Sequence, residues 1–166
     1  VSIYDLYSNA AGSGTNAITI TEDGSGSFSG TITRSAVSGT ATFTGISYPV
    51  AQSINVSATA AGLTSVPLYA VSVTAGSASY LKVTAPVSIM TAGGSLELTV
   101  TAYDVSNNIA TGYSGLKGLT FSGLGTALDG VSVPKVEGTN FNVVLSNVSF
   151  TNGVAASPAL TLQAYK

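Results

Sequence analysis

Any chemistry in this chain falls to carboxylates, amides and hydroxyls. None of its 166 residues is His or Cys, which removes His-based triads, thiol nucleophiles and most zinc sites. The adjacent carboxylates Glu22 and Asp23 stand at a turn signal, where strand neighbours diverge and Asp serves the turn itself. No general acid–base pair is expected there, and no catalytic residue elsewhere. Asp5 with Asn9, and Asp104 with Asn107 and Asn108, offer the oxygens that Ca²⁺ takes. Calcium wants about 6–8 oxygens and each loop brings a single carboxylate. The stronger expectation is that each Asp accepts backbone N–H groups at a strand end and fixes its loop. No cofactor is expected, and Ca²⁺ at Asp5, Asn9, Asp104 and Asn108 is the metal site left to test.

Modification chemistry has two candidates. Asn55-Val-Ser57 and Asn147-Val-Ser149 fit the N-glycosylation sequon, with Asn55 on the outward parity of its strand. Lys82 suggests an isopeptide cross-link, but it lies between Leu81 and Val83 with outward parity, away from the core where such bonds form. The eight Tyr are scattered, without a Trp to build a sugar platform, so packing or interface roles are expected of them.

The positions of the Asp–Asn pairs reveal the organisation of the chain. Tyr103, Asp104 and Asn108 lie 99 residues after Tyr4, Asp5 and Asn9 (104 − 5). A period of about a hundred residues is the size of an immunoglobulin-like sandwich and far longer than the 20–50 of solenoid units. Two modules are expected, residues 1–75 and 79–166, joined by a linker at 76–78. In the first, strands are predicted at Val1–Leu6, Asn16–Glu22, Ser29–Ala36 with Ile32 inward, Thr40–Thr44 with Phe43 in the core, Gln52–Thr59 and Leu68–Thr74. Asp23-Gly24 reads as a hairpin turn. In the second, Tyr80–Thr84 turns Leu81 and Val83 inward, Val87–Met90 follows Pro86, and Leu96–Asp104 is the longest regular run. Gly118–Gly123, Val131–Val136, Asn140–Leu145 and Ala159–Tyr165 complete it, with a bulge expected near Ser146-Asn147 where parity slips. No stretch keeps a helical period.

Composition agrees with an all-β protein. Charged residues are 7% of the chain, against roughly 25% in ordinary soluble domains. Mean hydropathy is +0.43, yet apolar residues interleave with Ser and Thr, and no run approaches the ~18 residues of a membrane span. A net charge of −2 with five scattered basic residues gives no footprint for nucleic acid or anionic lipid. A surface this poor in charge suits a protein held in an array or covered by glycan.

The stretch Val100-Thr-Ala-Tyr-Asp-Val-Ser-Asn-Asn108, its echo at Val1–Asn9, Ala41-Thr-Phe-Thr-Gly-Ile-Ser-Tyr48, Ile54–Ala60 and Val73–Leu81 together resemble the tandem Ig-like (filamin-like) repeats of bacterial and archaeal cell-surface proteins, S-layer proteins and large adhesins among them. The resemblance implies two tandem Ig-like β-sandwiches, an extracellular or cell-surface location and a structural rather than enzymatic role, because such modules mostly serve as spacers and building blocks. Its implied partners are copies of itself or adjoining repeats, with glycans as an alternative ligand, and neither nucleic acid nor membrane insertion. A glycan- or host-surface-binding module, tested by Tyr113→Ala or Tyr165→Ala, and an appendage of a larger secreted enzyme are the alternative functions.

Matching the modules strand by strand sets Ala159–Tyr165 against Ser53–Thr59. On that match the first module lacks an opening strand and the second a closing one. Val1, Ile3, Leu160 and Leu162 are then the expected assembly edges, for completion head to tail by strand addition.

Overall fold

The computed structural model describes residues 1–65 and 69–164, and among them the chain is all-β, with no helix. It divides into two compact units, Val1–Thr74 and Ala75–Lys166.

In the first unit, β1 (Ala17–Glu22), β2 (Thr33–Ser35), β3 (Ser53–Ala60) and β4 (Tyr69–Ser72) form an antiparallel sheet in the order β2-β1-β3-β4. Alternation decides its faces: Ile18, Ile20 and Ile54 are buried. On the other face, hydroxyls pair across strands, Thr19 with Thr33 at 2.8 Å and Thr21 with Ser57 at 2.7 Å. Over the sheet lies a second layer of short segments, tied by bridges between Ser2 and Thr40 and between Tyr4 and Ala10. Ile18 meets Ile3, Ala36 and Ala41 there, with Phe43, Ala58 and Ala60 packed alongside.

Several expectations for this unit are corrected. Val1–Leu6 is a bridged segment and not a full strand. The run Ser29–Ala36 shrinks to β2, interrupted by Gly30 at φ +100°, and Ile32 is exposed. Thr40–Thr44 forms no ladder, and Phe43 is half-buried. Asp23 does not close a tight hairpin. It reaches across to β3, where Asn55 donates to it through both its backbone N–H and its side-chain amide. Leu68 lies outside the described residues.

In the second unit, β5 (Tyr80–Thr84), β6 (Ser95–Tyr103), β8 (Lys135–Val136), β9 (Thr139–Asn140) and β11 (Val154–Gln163) form a five-stranded sheet in the order β5-β6-β11-β8-β9. The strands β7 (Gly115–Thr120) and β10 (Val144–Phe150) pair with each other. The core joins the two sheets: Leu98 and Val100 of β6, Val136 of β8 and Leu160 of β11 meet Leu119 of β7 and Phe150 of β10. Register shifts between Leu145 and Val148, with Asn147 at φ +63°, so the bulge falls where parity slips.

Leu81 and Val83 do not face inward; they are 41% and 49% exposed. Their strand, β5, is at the sheet edge, and alternation buries a face only where another layer covers it. Val87–Met90 forms no strand, and Val87 and Ile89 are exposed. Val131–Val136 reduces to β8, and Asn140–Leu145 divides between β9 and β10. The last strand begins at Val154 instead of Ala159.

The two units share one hydrogen-bond framework. Ile3 N–H donates to Gly39 O as Ala102 N–H does to Gly153 O, and Ala11 N–H donates to Ile3 O as Ala110 N–H does to Ala102 O. Gly39 N–H donates to Gly14 O, as Gly153 N–H does to Tyr113 O. Ala17 pairs with Ser35 as Leu116 pairs with Ser149. Residues 1–18 therefore answer to 100–117 at a separation of 99 (104 − 5), while 34–41 answer to 148–155 at 114 (153 − 39). On this framework β3 and β11 are not counterparts. β3 pairs with β1, whereas β11 pairs with β6, the strand that answers to the N-terminal segment.

Candidate functional site

The strand-end aspartates make two knots of the same design. Asp5 Oδ1 accepts the N–H groups of Tyr7 and Asn9, at 2.9 and 2.8 Å, and Oδ2 accepts Asn9 Nδ2 at 3.0 Å. Asp104 Oδ1 accepts from Ser106 and Asn108, both at 2.9 Å, and Oδ2 accepts Asn108 Nδ2 at 3.0 Å. Ser8 and Asn107 both take φ +66° to bring those N–H groups round. The knots differ in one donor: Gly76 N–H adds a 2.9 Å bond to Asp104 Oδ2. Asp104 is also buried, while Asp5 is exposed.

These carboxylates are turned onto N–H donors, which is the geometry of a loop fastener and not of a cation cage. Among the described residues, no group of three or more His, Cys, Asp or Glu is placed to hold a metal ion. The Asn108 amide, chiefly, holds the Asp104 carboxyl down at about 2; burial opposes it, and the N–H groups of Gly76, Asn108 and Ser106 assist. Asp5 is lowered by the same kind of donors, Asn9 first. A carboxyl depressed by folding stabilises the fold above its ordinary value of 3.8 and loses that effect as pH falls towards about 2. Asp104→Asn is therefore expected to lower the urea midpoint near neutral pH, with the difference from wild type shrinking through that acid window. A difference independent of pH would show that the carboxylate charge is not what the knot uses.

The sequons are placed differently. Asn55 is half-buried, and its Nδ2 donates to Asp23 Oδ2 at 2.7 Å, so its amide is engaged within the fold. Asn147 is exposed at the bulge. Of the tyrosines proposed for glycan contact, Tyr113 packs edge-on against Phe150 at 4.9 Å, so its truncation would disturb the core. Tyr165 lies outside the described residues. Lys82 is exposed, as are its strand neighbours Leu81 and Val83.

The expected assembly edges are corrected. Leu160 and Leu162 do not lie at an edge, because β11 is bonded to β6 on one side and β8 on the other. Alternating hydrophobicity shows which face of a strand is buried but not how many neighbours the strand has. Val1 and Ile3 are also satisfied within the chain: Val1 exchanges bonds with Ala41, and Ile3 N–H donates to Gly39. The Ile3 side chain is in the core. Ser2 and Tyr4, the alternate residues, point their backbone groups the other way, and among the described residues those groups have no partner. A cleft of about 700 Å³ adjoins this open edge. Ser2, Tyr4 and Leu6 line it together with Ala58 and Ala60 of β3 and with Leu63. Neither the cleft nor the Ser2–Tyr4 edge could be found by composition, since both come from long-range strand order. No family model, curated protein or solved structure matches the chain.

Proposed function

We propose that this chain is a structural building block of an extracellular or cell-surface assembly, such as an S-layer, sheath, filament or adhesin stalk. Its units are read as Ig-like modules that join neighbours through open strand edges and hydroxyl-rich faces. The observation that carries the reading is a pair of open edges on one repeated framework. In the first unit the outward backbone groups of Ser2 and Tyr4 have no partner among the described residues. In the second, β7 has β10 as its single partner among the described residues, although its counterpart β1 is bonded on both sides. Unpaired ladder groups are templates for another strand, and an apolar surface runs beside each. Leu116 of β7 is 65% exposed, and Val144 of β10 58%. The low charge of the chain fits a protein packed among copies of itself better than one kept apart by repulsion.

The test is concentration. Sedimentation of the purified chain over a wide concentration range should show reversible growth beyond the monomer, with ordered polymers or sheets by electron microscopy. A monodisperse monomer throughout, with no ordered polymer, would remove the assembly reading.

A further inference from the structure

The second unit contains, on the edge that answers to Ser2–Tyr4, a strand that the first unit does not show among its described residues. There β6 is bonded by β5, with Tyr80 opposite Tyr103 and Lys82 opposite Thr101. Thr101 and Tyr103 answer to Ser2 and Tyr4 at the separation of 99 (103 − 4) established by the shared bonds. Three contacts seat the segment. Gly76 N–H donates to Asp104 Oδ2 at 2.9 Å. Tyr80 stacks on Tyr103 with ring centroids 5.4 Å apart and planes 14° apart. The Tyr80 hydroxyl donates to Asn107 Oδ1 at 2.7 Å.

Each of the first two has a waiting counterpart in the first unit. Asp5 keeps the same Asn9 knot, yet its Oδ2 accepts from Asn9 and has no second donor of the Gly76 kind among the described residues. Tyr4 is 58% exposed, with its ring unstacked among the described residues. Among the described residues the outward ladder groups of Ser2 and Tyr4 have no partner, and the cleft of about 700 Å³ lies alongside. A carboxylate oxygen, an aromatic face and a strand edge thus stand in the arrangement that residues 76–83 satisfy in the second unit.

We propose that the Ser2–Tyr4 edge and its cleft accept an added antiparallel strand from another module of this kind, with the sequence pattern of residues 76–83. The pattern is a Gly whose N–H reaches Asp5, an aromatic four residues on to stack over Tyr4, and an alternating run from there. Backbone bonds supply the affinity, and the Asp5 and Tyr4 contacts set the register. The proposal rests on the assembly reading only for the source of the strand; the acceptor edge itself is tested separately.

A fluorescent peptide of residues 75–86 is titrated into the full chain, and binding is read by anisotropy. Saturable one-to-one binding is the expected result. Ser2→Pro removes an edge N–H that has no partner among the described residues, and Pro is tolerated at sheet edges, so the variant should fold and bind the peptide at least about tenfold more weakly. Tyr4→Ala should weaken binding through the lost stack. A peptide N-methylated at the Lys82 amide should fail on the wild-type chain, a control that does not depend on any variant folding. No binding up to about 1 mM, or binding indifferent to both Ser2→Pro and the N-methyl group, overturns the proposal; the latter would place the peptide elsewhere, on β7 or in exchange with β5. If the chain also polymerises, excess peptide should dissociate the polymer when this edge is the joint. Polymers that persist with the edge occupied would leave assembly standing and remove this edge from it. Peptide binding by a strictly monomeric chain would do the reverse.

Discussion

Phe150→Ala should cost the second unit about 3–5 kcal/mol, the range for removing a buried Phe from a packed core. The side chain is 2% exposed and sits where both sheets meet, among Val100, Val136, Val148 and Leu160. Its edge-on contact with Tyr113 at 4.9 Å and 84° adds about 0.5–1.5 kcal/mol beyond area. Whole domains are stable by only about 5–15 kcal/mol, so this one truncation takes a large share. Hydrogen exchange should show the amides of β6, β10 and β11 losing protection together, while those of β1 and β3 keep theirs. A loss below about 1 kcal/mol would mean that the site collapses around the smaller residue and that Phe150 does not organise this core.

Phe150 also marks where the sequence stops being legible. Alternation in β1, β3 and β6 matches burial: Ile18, Ile20, Ile54, Leu98 and Val100 are all buried. The same rule failed for Leu81 and Val83, because alternation reports a strand with two unlike faces and says nothing about what lies above either. The first half of the repeat was legible because its function needs particular side chains: Asp to accept, Asn to donate back, Tyr before them. The second half, residues 34–41 against 148–155, shares mostly backbone bonds. Backbone bonds place few demands on side-chain type, so Arg34 answers to Val148 and Ala36 to Phe150 without trace in the sequence. Without that trace, pattern alone matches Ala159–Tyr165 to Ser53–Thr59 and sets Leu160 and Leu162 at an edge, whereas β11 lies between β6 and β8. The open edge at Ser2 and Tyr4 is a property of strand order, which only long-range pairing decides.

One residue type in that second half is constrained, and it yields the other large effect. Gly39 and Gly153 take φ +77° and +83°, each following a residue also at positive φ, Ser38 at +50° and Asn152 at +48°. Positive φ at both central positions is the I′ hairpin turn, whose twist matches the strands it joins. Space is closed as well as backbone angle. A Cβ on Gly39 would be driven into the Ala11 carbonyl, and one on Gly153 would stand 2.8 Å from the Ala110 oxygen. Those carbonyls belong to the loop beside each Asp knot and cannot swing aside as a flexible side chain would. Left-handed backbone costs an L-residue about 1–2 kcal/mol, and overpacking adds about 1–3 kcal/mol. Gly39→Ala and Gly153→Ala should therefore each destabilise their own unit by about 2–5 kcal/mol, read from denaturant unfolding with exchange assigning the unit. Gly62→Ala separates the two contributions: φ is +76° but nothing lies within 4 Å of the added methyl, so it should show the backbone cost alone. Equal losses at Gly39 and Gly62 would mean that the Ala11 carbonyl yields, and that the close approach of the two loops is not what keeps glycine there.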